Sequence, residues 1–324
     1  MLLVILFSSQ LFTNALEHFG HRIKISAGVT GSIFAAVATA LPETMIPIIA
    51  IVAGTSDKIV NEEISVGAIL GAPLMLSTIS TGLMAIFAIQ GRGLFGKISP
   101  EKNGFKRDLN FFLVALFFAA AAMYAPLDNL ILRASISALL VLLYATYVVC
   151  TLRASKQLVK DGHGVMPDQP LLMTKLKLKT HLGTIIFQLL LGFILLLGGA
   201  KGFIDDIVIV SHTLAVSPLL LSILIIPIAT ELPEKINSIF WIRRRKDTLA
   251  FGNITGAMVF QGTLLPALGI LLTPWQPVKA VWLGICVTFF AGCWLRFNAI
   301  FGGLWIPALL LNGFIYLIYL YLMF

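Results

Sequence analysis

The sequence predicts an all-α polytopic membrane protein: ten transmembrane helices forming two inverted five-helix repeats, with the second and seventh helices broken. Three observations carry this. Of the 324 residues, 58% are hydrophobic and 12% charged, with a mean hydropathy of +0.96; a soluble chain carries about twice that charge. Apolar runs of about 20 residues, the length a helix needs to cross a bilayer, recur along the chain. A Leu-Pro-Glu motif occurs twice, in "ATALPETMIPIIA" (38–50) and "ATELPEKINSIFW" (229–241). The runs are continuously apolar rather than alternating, which excludes a β-barrel.

Taken in order, the spans are expected near 2–18, 27–54, 63–89, 109–126, 128–152, 183–204, 214–241, 248–272, 277–295 and 298–323. The opening "MLLVILFSSQLF" lacks a basic n-region and a clear small-residue cleavage site, so it reads as a retained first span. Basic residues choose the side. Most of the 23 Lys and Arg fall in the loops after the odd-numbered spans, including Arg92, Lys97, Arg153, Lys156 and the run Arg243–Lys246. The loops on the other side hold Lys58, Lys201 and Lys279. The odd-numbered loops are therefore expected in the cytoplasm and both termini outside. The net charge of +8 is assigned to these loops and the lipid bilayer rather than to nucleic acid. Residues 1–152 and 183–324 form the two repeats, and 153–182 a cytoplasmic linker. Cys150, Cys286 and Cys293 have no metal-site or disulfide spacing and read as small packing residues.

Each Leu-Pro-Glu motif lies in the second span of its half, followed by a short polar loop and a span opening with Gly-x-x-x-Gly: Gly67 and Gly71 in "VGAILGAP", Gly252 and Gly256 in "FGNITGAM". Five is odd, so the second copy enters the membrane from the opposite face, the layout of many secondary transporters. The Gly-x-x-x-Gly faces allow close helix approach. Pro42 and Pro233 donate no backbone hydrogen bond and crowd the preceding turn, so each is expected to break its helix. The freed carbonyls near Ala38–Thr39 and Ala229–Thr230 then line a cavity or pack within protein. Beside each break stands an acid, Glu43 or Glu234, and a carboxylate at that depth marks an ion or proton path. Hard cations take carboxylate, carbonyl and hydroxyl oxygen; Thr39 and Thr230 supply the hydroxyls.

At these residues the chain resembles the calcium/cation antiporter superfamily, which includes sodium/calcium exchangers. That family carries a Gly-Thr-Ser-Leu-Pro-Glu type motif in its second and seventh helices and a Gly-Asn-x-x-Gly-Ser-Asn/Asp type motif opening the third and eighth. The resemblance covers roughly 10–90 and 200–272. It implies a midplane cation site between the repeats, alternating access, and first and sixth helices that slide as a gate. It implies that Glu43 and Glu234 ligate the metal cation and that the backbone carbonyls of Thr39 and Thr230 contribute. Asn253 matches the family asparagine, where the first half has Ala68. The serines after each threonine are replaced by Ala40 and Glu231, and the Asn or Asp after Gly-Ser by Pro73 and Met258. Ser77 and Gln261, a turn onward, are the possible substitutes.

Glu231 adds a third acid to Glu43 and Glu234. Three close acids do not all ionise cheaply, which suits proton coupling or a divalent ion. Lys235 either snorkels toward the interface or faces Glu231 across a helix break, and the sequence favours snorkelling. Asp128 and Arg133 are close enough in sequence to pair. The expected function is secondary antiport of Ca²⁺ or a similar cation against Na⁺ or H⁺, with these ions as cargo, no cofactor and no catalysis. The alternatives are a monovalent-cation/proton antiporter and a non-transporting relic of the fold. An intramembrane hydrolase ranks last, because no Ser/His or His-rich metal constellation accompanies the acids.

Overall fold

A computed structural model describes residues 1–22, 35–159, 170–177, 179–301 and 303–323, without the side chains of some helical residues, among them Thr39, Pro42, Pro233 and Glu234. Ten long helices run through the described residues. They are α1 (Leu2–Arg22), α2 (Ala35–Ala53), α3 (Lys58–Arg92), α4 (Lys102–Ala121), α5 (Leu130–Val159), α6 (Leu182–Leu214), α7 (Pro218–Arg243), α8 (Asp247–Leu272), α9 (Lys279–Asn298) and α10 (Ile306–Met323). Among the described residues, seven of them, α3 to α6 and α8 to α10, are seen to be long and apolar enough to cross a membrane. The other three carry shorter apolar stretches, Leu3–Leu16, Glu43–Ala53 and Pro218–Leu232.

Local chemistry sets the helix starts. Asp57 accepts hydrogen bonds from the Ile59 and Val60 amides at 2.9 and 3.3 Å and caps α3. Glu101 does the same for α4 through Asn103 and Gly104, and Ser217, followed by Pro218, caps α7. These side chains satisfy amides that the first turn leaves unpaired. Arg133, 4% exposed, serves the opposite kind of end. Its guanidinium donates to the carbonyls of Ile270, Thr273 and Pro274, closing the C-terminus of α8. It thus caps a helix instead of pairing with Asp128.

The core gathers around α3 and α8: 72% of the apolar window of each is buried within the protein, against 17% for α5. Exposed apolar side chains such as Ile131 and Leu142 cover α5. α1 packs along α6, and α3 along α7. Glycine makes the second contact possible: a Cβ on Gly71 would lie 2.3 Å from the Ile223 carbonyl oxygen. Gly252, its counterpart motif's first glycine, meets nothing within 4 Å among the described residues. The Gly-x-x-x-Gly approach is therefore described for the first half alone.

The breaks expected at Pro42 and Pro233 are not found. Helix runs without interruption through both, and through Pro227. Proline removes one N–H and displaces one carbonyl, while the turns on either side keep their bonds and neighbouring elements hold the helix. Irregular helix occurs instead in α3, as a π turn over Leu76–Ser80 just after Pro73. There the Thr78 and Ser77 hydroxyls bond back to the Leu74 carbonyl, and the Asn312 amide of α10 donates to the Ser77 carbonyl at 3.0 Å. Two short strands, β1 (Lys97–Ile98) and β2 (Leu304–Trp305), pair antiparallel and tie the loop after α3 to the start of α10.

The described end of the linker is docked. Its 3₁₀ turn, Leu172–Leu176, lies against α1 and α6. Asn14 accepts from the Leu172 amide, Gln188 accepts from the Met173 amide, and Gln188 donates to Asn14 and to the Leu11 carbonyl, each at 2.9 Å.

Candidate cation site

Three helices bring polar side chains together in the buried interior, and a fourth closes over them. Glu43 comes from α2, Glu231 and Lys235 from α7, and Gln261 from α8; Met75 of α3 closes one side. Glu43 is 5% exposed, and Glu231 and Gln261 are fully buried. Gln261 is the pivot. Its Nε2 donates to Glu43 Oε2 at 2.6 Å and to Glu231 Oε1 at 3.2 Å. One amide nitrogen thus joins acids from two different helices. Its Oε1 is buried with no hydrogen-bond partner among the described residues.

Lys235 does not snorkel. It is 7% exposed, and its Nζ lies 3.1 Å from Glu231 Oε2 as an ion pair. The same nitrogen donates to the Pro227 carbonyl at 3.2 Å and contacts Met75 Sδ. The uninterrupted helix is the reason: residues i and i+4 share a face one turn apart, so the Glu-x-x-x-Lys spacing turns Lys235 inward. That spacing was the signal in the sequence for Lys235, whereas nothing there pointed to Met75.

The other expected site residues divide. Thr230 is buried, but its hydroxyl bonds to the Ile226 carbonyl of its own helix. The Ser77 hydroxyl likewise bonds within α3. The Asn253 amide donates to Ser238 at 3.1 Å, two turns of α8 from Gln261, or about 12 Å of helix rise. Of the auxiliary residues, Gln261 is the one whose bonds to the two acids are described. The side chains of Thr39 and Glu234 lie outside the described residues. Among the described residues no group of three or more His, Cys, Asp and Glu converges; the cluster is two carboxylates, one amide and one ammonium.

Comparison with known proteins gives this arrangement a family. The sequence pattern of the group described as "Sodium/calcium exchanger protein" matches residues 1–153 and 184–324. The chain is 23% identical over 321 residues to the inner membrane protein YrbG of Escherichia coli K12, covering 97% of this chain and 92% of that protein. Its fold is similar to that of the H⁺/Ca²⁺ exchanger CAX, with a TM-score of 0.75 and 16% identity over 99% of this chain and 80% of the other. It is also similar to that of the sodium-calcium exchanger NCX_Mj, with a TM-score of 0.60 and 19% identity over 99% and 95% of the two chains.

Proposed function

As the chain belongs to the sodium/calcium exchanger protein family, an integral membrane family of cation antiporters, we propose that it moves Ca²⁺ or a similar cation against Na⁺ or H⁺. Glu43 and Glu231 are the described carboxylates of the seat, held by Gln261. By the motif match, Glu234 and the backbone near Thr39 and Thr230 complete it. The observation that carries the reading is the shared amide: Gln261 draws an acid of α2 and an acid of α7 onto one buried point. The buried Gln261 Oε1, which has no hydrogen-bond partner among the described residues, adds neutral oxygen of the kind a hard cation takes. The two halves, 1–152 and 183–324, act as inverted repeats around this seat, with the 153–182 linker and the odd-numbered loops in the cytoplasm. Alternating access then exposes the seat to each side in turn.

The test is flux in reconstituted vesicles. Imposed Na⁺ or H⁺ gradients should drive Ca²⁺ movement, and Glu43→Gln should abolish it. Ca²⁺ movement that ignores both gradients, or an unimpaired Glu43→Gln variant, overturns the reading.

A further inference from the structure

The ammonium of Lys235 is surrounded as a bound cation would be. It has a carboxylate oxygen at 3.1 Å, a backbone carbonyl at 3.2 Å, a thioether sulfur against it and almost no solvent. We propose that Lys235 is the specificity-determining residue of the seat: a tethered counter-cation that weakens divalent binding more than monovalent binding. This rests on the reading of the cluster as a cation site.

The argument is Coulombic. Repulsion between the ammonium and an arriving ion scales with the product of their charges. If Lys235 weakens a monovalent ion by some factor, it weakens a divalent ion in the same position by about the square of that factor. Antiport needs a monovalent ion to displace a divalent one, or the reverse, at a shared seat. A fixed positive charge narrows the gap between the two affinities and makes such displacement feasible at ordinary concentrations. A lysine that merely tied α7 to its neighbours would carry no such charge-squared signature.

The experiment measures binding in detergent, without gradients, by titrating NaCl or CaCl₂ into the full-length protein and its Lys235→Met variant. The expected result is tightening of Na⁺ binding by a factor on the order of 5 and of Ca²⁺ binding by a factor on the order of 25. Lys235→Arg, which keeps the charge, should retain the wild-type ratio of the two affinities. If Lys235→Met does not fold, Glu231→Gln compared with Glu231→Gln/Lys235→Met reads the same pair of factors, because the lysine is then removed together with its partner. Equal factors for the two ions, no change in either, or a Lys235→Arg variant that behaves as Lys235→Met overturns the proposal. Absent flux in wild-type vesicles would sink the antiport reading instead. Gradient-driven, Glu43-dependent flux with unchanged ion preference in Lys235→Met would sink this inference alone.

Discussion

Replacing Gln261 with Met should dismantle the seat while leaving its packing nearly intact, since the two side chains are similar in length and volume. The amide donates to Glu43 at 2.6 Å and to Glu231 at 3.2 Å. A hydrogen bond to a charged group contributes about 1.5–3 kcal/mol, so the pair is worth about 3–6 kcal/mol. Glu231 keeps Lys235 at 3.1 Å, whereas Glu43 loses the shorter bond, which places the expected loss at about 3 kcal/mol. In a chain of this size that lowers the melting temperature by roughly 4 °C. Intrinsic tryptophan fluorescence during a temperature ramp in detergent reads it directly. Flux in vesicles should disappear, because the acids of α2 and α7 no longer share a donor. Gln261→Asn, one methylene shorter, should fall between wild type and Gln261→Met, because it reaches one acid but not both. A Gln261→Met protein that melts and transports like wild type would refute the assignment of Gln261 as the joint between the two helices.

Two further outcomes follow from contacts away from the acids. Gly71→Ala adds a Cβ 2.3 Å from the Ile223 carbonyl and 2.8 Å from Pro227 Cγ, forcing α3 and α7 apart. The overpacking costs about 1–3 kcal/mol against a helix gain of about 1 kcal/mol, so melting should drop slightly and flux more sharply, as Glu231 shifts relative to Gln261. Gln188→Leu removes three bonds at 2.9 Å, to the Leu11 carbonyl, to Asn14 and from the Met173 amide. It should release the 172–176 turn, and limited trypsin digestion at exposed Lys175 and Lys177 should quicken while Na⁺ and Ca²⁺ affinities stay as they were.

The helical class, most helix positions and the close approach at Gly71 were legible, because long apolar runs and a Gly-x-x-x-Gly spacing are properties of the string itself. The error lay in treating proline as a break. Pro42, Pro227 and Pro233 each remove a single donor, and whether a helix survives that loss depends on what packs against the freed carbonyl, which is tertiary information. Gly71 against Ile223 is such a case, and the two positions lie far apart in sequence. The auxiliary residues divided for a related reason. Ser77, Thr230 and Asn253 carry the right atoms, yet Ser77 and Thr230 spend their hydroxyls on carbonyls of their own helices and Asn253 bonds to Ser238. Short hydroxyl side chains favour such local bonds, whereas glutamine, one carbon longer than asparagine, reaches across to two other helices.

The continuity of α7 also decides the electrostatics. Had the helix unwound at Pro233, Glu231 and Lys235 would no longer have stacked one turn apart, and the long lysine stem would have been free to carry its charge to the headgroups. In the intact helix the i,i+4 relation holds the ammonium at 3.1 Å from Glu231, inside the low-dielectric core where one charge acts strongly on the next. Pro73 and Met258 remove the oxygen donors that the resembled motif places after its second glycine, and Gln261 restores one amide a turn later on α8. The described seat therefore differs from the motif-based expectation in two respects at once: it has fewer neutral oxygens and one resident positive charge. Both changes act in the same direction, toward weaker holding of a doubly charged ion. Lys235→Met reverses only the second.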